Sequence, residues 1–143
     1  MSCVDLTPEE VLNKLKSEEA AKIFSDNGVL AAYLFGSMAS SSDVDVAVVF
    51  QNSFKDYEYG NFQSSIDIAL GELLETNEIE VLVLNNAHPV EMFRVLRKRA
   101  IIFCANEHDR AEFEILAFSL YYDHAYVVEH QPELVGKPYN TLE

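Results

Sequence analysis

The sequence has few of the residues that build disulfide frameworks or membrane spans. Its 143 residues include only two cysteines, Cys3 and Cys104. They form neither a disulfide framework nor a CxxC metal knuckle, so we interpret them as reduced thiols. The longest apolar runs, residues 29–35 and 46–50, are far too short to cross a bilayer. The first residues lack the basic-then-apolar pattern of a signal peptide, so we expect a cytoplasmic protein with no membrane contact.

Basic residues are also scarce. Ten Lys and Arg oppose 24 Asp and Glu, which gives a formal net charge of −14. A protein whose main task is to grip phosphate backbones should carry the opposite charge, so we expect no direct nucleic-acid binding. An acidic surface suits a small-molecule or metal site, or docking against a basic protein partner.

The chain length and apolar content indicate one folded domain over residues 1–143. Hydrophobic residues make up 49% of the chain, which is enough for a core and excludes wholesale disorder. No internal repeat and no low-complexity tract interrupts the sequence. P-loop, GxGxxG and Ser-His-Asp patterns are missing, so dinucleotide and hydrolase functions have no support.

Helix and strand patterns alternate along the chain, which indicates an α/β or α+β domain with one central sheet. The capping box Thr7-Pro8-Glu9-Glu10 predicts a helix start, and Asn27-Gly28 predicts the end of a second helix. Continuous apolar character over residues 29–35 predicts a strand covered on both faces. The remaining predictions are strands over residues 43–50, 78–84 and 100–104, and helices over residues 18–24, 54–75, 89–99 and 109–129. In the helix over residues 54–75 we expect Tyr57, Phe62, Ile66, Ala69 and Leu73 to face the core.

The chemistry is predicted where the first strand leads through a Gly- and Ser-rich turn into the second. Asp43 and Asp45 are separated by one residue at the start of the second strand, so both side chains point to the same face about 7 Å apart. Two adjacent carboxylates repel each other unless a cation lies between them. Hard oxygen ligands of this kind suit Mg²⁺ or Mn²⁺.

A third acid and a phosphate-binding turn complete the predicted site. Glu80 lies early in an apolar strand and can face the same metals if that strand pairs beside Asp43 and Asp45. Three carboxylates could hold two Mg²⁺ ions roughly 3.5–4 Å apart. Gly36 lets a phosphate approach the backbone closely, and the Ser37 hydroxyl can donate to its oxygens.

Each of these features alone has an ordinary structural explanation. A lone Asp-x-Asp is a solvated sheet end, a lone Gly-Ser is a turn, and a lone Glu on a strand is an edge charge. Their combination in this order is much more specific. We therefore interpret the set as a site for nucleotidyl transfer from a Mg²⁺–nucleoside triphosphate.

This arrangement resembles the minimal nucleotidyltransferases (MNT) of the DNA polymerase β-like superfamily. The resemblance rests on Tyr33-Leu34-Phe35-Gly36-Ser37, Asp43-Val44-Asp45 and the strand around Glu80, and it extends into the last predicted helix. It implies the polymerase β-like fold, a central mixed sheet of about four strands flanked by helices. It also implies that Gly36 and Ser37 bind the triphosphate of ATP and that Asp43, Asp45 and Glu80 are catalytic ligands of two Mg²⁺ ions.

Chains of this size and type resemble the MntA-like antitoxins that accompany a HEPN-domain ribonuclease toxin. The resemblance implies a protein adenylyltransferase that transfers AMP from ATP to a tyrosine of the toxin. Two features differ from the family pattern. Only residues 38–42 separate Ser37 from Asp43, with no basic residue among them, and the third acid is Glu80 where Asp is commoner.

Two alternatives stay open. The short turn without cations favours a weak or inactive MNT module that neutralises its HEPN partner by binding alone. Transfer to a small molecule such as an aminoglycoside is the other, although family members of that kind resemble longer chains with an added acceptor-binding domain.

Three further features have a bland and a functional interpretation. We interpret the basic cluster Arg94, Arg97, Lys98 and Arg99 as a solvated helix face, with contact to the triphosphate or to a partner as the alternative. His88 is interpreted as a loop residue, with a role in the site as the alternative. The apolar residues of the last helix fit either the core or a partner-binding surface, and the sequence does not choose between them: Phe113, Leu116, Leu120, Tyr121 and Tyr122.

Overall fold

The computed structural model describes residues 8–35, 44–52, 56–76, 78–98 and 100–134. Helices and strands alternate along the chain, as the sequence pattern predicts. In order the elements are α1 (Pro8–Leu15), α2 (Glu18–Asp26), β1 (Val29–Phe35), β2 (Val44–Phe50), α3 (Asp56–Leu74), β3 (Ile79–Val83), α4 (Pro89–Leu96), β4 (Ala100–Cys104) and α5 (Glu107–His130), followed by a 3-10 turn (Pro132–Leu134).

The strands form a four-stranded mixed sheet in the order β3-β2-β1-β4. Strand β1 pairs antiparallel with both β2 and β4, whereas β2 and β3 are parallel. The expected α/β architecture with a central mixed sheet is confirmed.

Helices cover both faces of this sheet. On one face, β-strand side chains such as Val46 and Val48 pack with α1, α2 and α3. On the other face, Ala47 and Val49 pack with Met92 of α4 and with α5. Because both faces are covered, the two central strands are apolar almost throughout, which explains the unbroken apolar run over residues 29–35.

Most predicted boundaries agree with the structure to within a few residues. Helix α2 begins after the N-cap Ser17, whose side chain accepts a hydrogen bond from the Ala20 N–H. It ends at Asp26, and Asn27 is its C-cap. Gly28 follows with φ of 72°, a left-handed conformation that glycine adopts without steric cost. The predicted cap residue Thr7 lies outside the described residues.

The expected core face of α3 is partly wrong. Tyr57 is 69% exposed, whereas Tyr59, Ile66 and Leu70 are buried. Successive helical residues are rotated by about 100°, so Tyr57 lies about 200° from Tyr59 and cannot share its face. The buried face of α3 is therefore formed by Tyr59, Ile66, Leu70 and Leu74, and the predicted residues Phe62 and Leu73 are partly buried beside it.

A buried ionic network fastens α5 to the centre of the sheet. The Tyr33 hydroxyl of β1 donates to Glu114 Oε2 at 2.9 Å, and Arg110 Nη1 donates to the same oxygen at 2.7 Å. Glu114 is only 7% exposed, while Tyr33 is fully buried. The mostly buried carboxylate is thus stabilised by a cation and a hydroxyl. Among the described helices none is long and apolar enough to cross a membrane.

Candidate active site

Two of the predicted acids lie side by side on the sheet. Asp45 of β2 and Glu80 of β3 are Cα partners in the parallel ladder. Neighbouring strands lie about 4.8 Å apart, and directly opposed residues point to the same face of the sheet. That face also carries Ala47 and is the one covered by α4 and α5. Asp45 is partly buried, and Glu80 is exposed at the open side of the edge strand β3.

Backbone and side-chain hydrogen bonds fix this register at both ends of the strand pair. The Val44 N–H donates to the Glu78 carbonyl at 2.9 Å, at the end beside the acids. At the far end, Asn85 Nδ2 donates to the Phe50 carbonyl at 3.2 Å, and Asn85 Oδ1 accepts from the Phe50 N–H at 2.8 Å. A slip of one residue would turn Glu80 to the opposite face.

Three predicted site residues, Gly36, Ser37 and Asp43, lie outside the described residues. The described neighbours of this segment are nonetheless informative. Phe35, which directly precedes Gly36 in the sequence, is the Cα partner of Asp45 across the antiparallel β1–β2 pair. The end of β1 that leads into Gly36 and Ser37 is therefore adjacent to the acidic pair.

Arg94 of α4 also lies at this end of the sheet. Its Cζ atom is 5.7 Å from the centroid of the Phe35 ring, which lies next to Asp45. Its Nε and Nη2 atoms donate to the two carboxylate oxygens of Glu91, each at 2.9 Å. The guanidinium group is thus held between an aromatic face and a carboxylate, close to two further acids.

The electrostatics of this corner agree with its geometry. The hydrogen bond to Glu91 is the main cause that raises the pKa of Arg94, and the negative charges of Asp45 and Glu80 raise it further. The same hydrogen bond lowers the pKa of Glu91. Arg94 is therefore a permanent cation in the field of three carboxylates.

The solvated-face interpretation of the basic cluster is therefore incomplete. It fits Arg97 and Lys98, which are exposed, with Arg97 over the Phe93 ring at 6.0 Å. Arg94 is exposed as well, but its guanidinium also faces Phe35 and the acids; Arg99 lies outside the described residues. The sequence contained one local signal, the i,i+3 spacing of Glu91 and Arg94 on a predicted helix.

The remaining candidates have mainly structural roles. His88 is the N-cap of α4, where Nδ1 accepts a hydrogen bond from the Val90 N–H at 3.1 Å. On α5, Tyr121 stacks on Phe93 with ring centroids 3.8 Å apart, and Tyr122 is 62% exposed. The apolar residues of α5 thus divide between packing and surface. Phe113, Leu120 and Tyr121 are partly buried, whereas Ile115, Leu116, Tyr122 and Tyr126 are exposed.

Solved structures of similar fold come from toxin–antitoxin complexes. A chain from the complex of a tri-AMPylated Shewanella oneidensis HEPN toxin with an MNT antitoxin aligns with a TM-score of 0.62 and 22% identity, over 85% of this chain and 94% of that one. A chain of a toxin–antitoxin complex with AMP-PNP gives a TM-score of 0.63 and 22% identity, over 85% and 95%. A chain of the MntA–HepT complex gives 0.61 and 21%, also over 85% and 95%. These similarities concern the fold.

Sequence comparison identifies the family directly. No curated protein sequence matches the chain. A family model described as "Polymerase beta, Nucleotidyltransferase" matches residues 18–108. This range includes all four strands and α4, and therefore Asp45, Glu80 and Arg94. The chain accordingly belongs to the polymerase β nucleotidyltransferase family.

Proposed function

We propose that this chain is a Mg²⁺-dependent protein adenylyltransferase that transfers AMP from ATP to a tyrosine of a HEPN-domain toxin, and so acts as its antitoxin. The observation that carries the proposal is the pairing of Asp45 with Glu80 on one sheet face, beside the end of β1. The family supplies the reaction class. The similar structures support the acceptor and the nucleotide, because one contains a tri-AMPylated HEPN toxin and another contains AMP-PNP.

The donor set fits a divalent metal. Asp45 and Glu80 present carboxylate oxygens on the same face, which is the chemistry that Mg²⁺ prefers. Together with Asp43, which is two residues before Asp45 in the sequence, they would hold two Mg²⁺ ions. When bound, the metals would supply charge stabilisation for the phosphates and activation of the attacking hydroxyl.

The residues of the chain would position both substrates. Gly36 and Ser37 would bind the β- and γ-phosphates, and Glu80 would orient the acceptor hydroxyl. The tyrosine oxygen forms a bond to the α-phosphorus, and the bond from that phosphorus to the oxygen bridging to the β-phosphate breaks. Pyrophosphate leaves, and the phenolic proton passes to water. The product is a tyrosine–AMP phosphodiester on the toxin.

The charge of the chain suits the proposed partner. A ribonuclease must attract RNA and is expected to carry a basic surface around its active site. A net charge of −14 favours association with such a surface. Both proteins would act in the cytoplasm, where the RNA substrates of the toxin are found.

The test uses the chain and its proposed HEPN-domain partner, with Mg²⁺ and ATP labelled at the α-phosphate. We expect label on the toxin, its loss on chelation of the metal, and its loss when the tyrosine is replaced. Replacement of outer-shell metal partners already costs 10–100-fold, so Asp45→Asn and Glu80→Gln should each reduce labelling by about 100-fold or more. Asp67→Asn is the matched control, because Asp67 is exposed on α3, across the sheet from the site. Undiminished labelling by Asp45→Asn would contradict the proposal.

A second function, neutralisation by binding alone, is favoured by one observation: residues 38–42 contain no cation. It predicts no labelling by the wild-type chain and full protection of cells by Asp43→Asn with Asp45→Asn. Loss of protection in that double variant, with complex formation intact, would exclude it.

A further inference from the structure

The sequence brings no basic residue to the predicted phosphate-binding turn. No Lys or Arg occurs between Lys22 and Lys55, a span that includes Gly36, Ser37 and Asp45. Backbone N–H groups and a hydroxyl can bind phosphate, but charge-assisted donors are about twice as strong. The turn therefore offers a bound triphosphate no side-chain cation, and any cation besides the metals must come from another part of the chain.

The position of Arg94 meets this need. Its guanidinium lies 5.7 Å from the ring centroid of Phe35, the last residue before Gly36. Phe35 is in turn the Cα partner of Asp45. The cation is thus beside both the acidic pair and the end of the strand that leads into the turn.

The guanidinium is oriented and still has donors to offer. Arginine has five N–H donors, and Glu91 accepts from two of them, Nε–H and one on Nη2. The other edge of the guanidinium group, formed by Nη1 and Nη2, has two donors with the spacing that a carboxylate or phosphate accepts. The Arg94 side chain is 54% exposed, so a ligand can reach it. Because Glu91 and Phe35 already restrict its rotamers, binding loses little side-chain entropy.

We infer that Arg94 binds the β- and γ-phosphates of the nucleotide and replaces the cation that the turn lacks. This inference rests on the proposed function. It assigns Arg94 to the pyrophosphate that leaves, because Phe35 connects directly to the residues proposed to bind that part of ATP. Arg94 would also offset part of the negative charge of Asp45, Glu80 and Glu91 at the site.

Direct binding measurements on the full chain without its partner test the assignment. Calorimetry with ATP and with AMP, in the presence of Mg²⁺ and in EDTA, separates phosphate contacts from adenosine contacts. We expect Arg94→Gln to weaken ATP binding roughly 10-fold or more, as expected for loss of a charge-assisted contact. AMP binding should stay within twofold of the wild type. Arg94→Lys keeps the charge without the fork and should give an intermediate ATP affinity.

Arg97→Gln is the matched control, since Arg97 is an exposed arginine at the end of the same helix and lies over Phe93 instead of Phe35. It removes the same charge and should leave ATP binding unchanged. Thermal unfolding should show equal stability for both variants, because exposed ion pairs contribute little.

The outcomes separate this inference from the proposed function. Unchanged ATP affinity in Arg94→Gln overturns the inference while ATP-dependent labelling of the toxin still supports the function. An equal loss for ATP and AMP also overturns it, because Arg94 then acts on the adenosine part or on the fold. A wild-type chain that neither binds ATP nor labels the toxin overturns both.

Discussion

The Asn85 side chain hydrogen-bonds both backbone groups of Phe50 and so extends the β2–β3 ladder beyond the end of the strands. Its Oδ1 atom accepts from the Phe50 N–H at 2.8 Å, and its Nδ2 atom donates to the Phe50 carbonyl at 3.2 Å. An amide side chain here imitates a strand residue and satisfies two groups of a buried residue. The same contact helps to fix the register that places Asp45 opposite Glu80.

Removal of this side chain should destabilise the fold. In Asn85→Ala the Phe50 N–H and carbonyl lose their partners, which should lower the free energy of unfolding by about 1–3 kcal/mol. Urea denaturation followed by circular dichroism measures the change. Asn61→Ala, at an exposed position in α3, is the control and should not lower stability. Equal stability of Asn85→Ala and the wild type would show that the contact does not contribute.

Metal binding should depend more on the negative charge of the side chain at position 80 than on the length of that side chain. Glu80→Gln removes a ligand charge and should weaken Mn²⁺ binding at least about tenfold, whereas Glu80→Asp keeps the charge and should lose less. Electron paramagnetic resonance of free Mn²⁺ measures both. Glu72→Gln, on the exposed side of α3, is the control for net charge. Equal Mn²⁺ affinity in all three variants would argue against Glu80 as a ligand.

The sequence pattern predicted β1 and β2 well because burial on both faces leaves a local signal, an unbroken apolar run. The bounds of β1 and β4 agree with the predicted residues 29–35 and 100–104. The shared face of Asp45 and Glu80 was predicted only on the condition that β2 and β3 pair. The alternation of side chains along a strand determines which residues share a face with each acid. Which strands pair, and in which register, depends on contacts between distant segments of the chain.

Other features were beyond local patterns. Tyr57 was wrongly placed on the core face of α3, because a helix with apolar residues on several sides has more than one plausible buried face. The contact of Arg94 with Phe35 depends on how α4 packs across the sheet, which helical periodicity does not specify. A basic residue in an amphipathic helix is normally solvated, so only the tertiary packing distinguishes Arg94, over Phe35, from Arg97, over Phe93.

The buried network on α5 should be costly to break and less costly to replace. Glu114→Leu removes the buried counterion of Arg110, which keeps the exposed Glu107 as its other partner, and should lower the free energy of unfolding by about 1.5–3 kcal/mol. Adding Arg110→Met removes the cation that has lost its buried partner and should recover part of that loss. Tyr33→Phe removes one hydrogen bond to Glu114 and should cost about 1 kcal/mol. Chemical denaturation of the three variants tests this order, and a double variant less stable than Glu114→Leu would contradict it.

Cys104 should react slowly with alkylating reagents at neutral pH. Burial is the main cause that raises the pKa of this thiol, and the hydrogen bond with Glu107 raises it further, whereas Arg110 lowers it. Glu107 is ionised because the hydrogen bond from Arg110 lowers its pKa. Glu107→Gln should therefore shift the pH profile of Cys104 alkylation to lower pH, and Arg110→Met should shift it to higher pH.

The raised pKa also has a consequence for stability. The folded chain keeps the thiol proton at pH values where the unfolded chain has lost it. This contribution to stability is therefore present below the pKa of the unfolded chain and disappears as the pH rises through the pKa of the folded chain.

Iodoacetamide rates between pH 7 and about 10.5, in a Cys3→Ser background, give the pH profile of Cys104 alkylation. A Glu107→Gln profile that coincides with the wild type would show that the Glu107 carboxylate does not raise the pKa of the thiol.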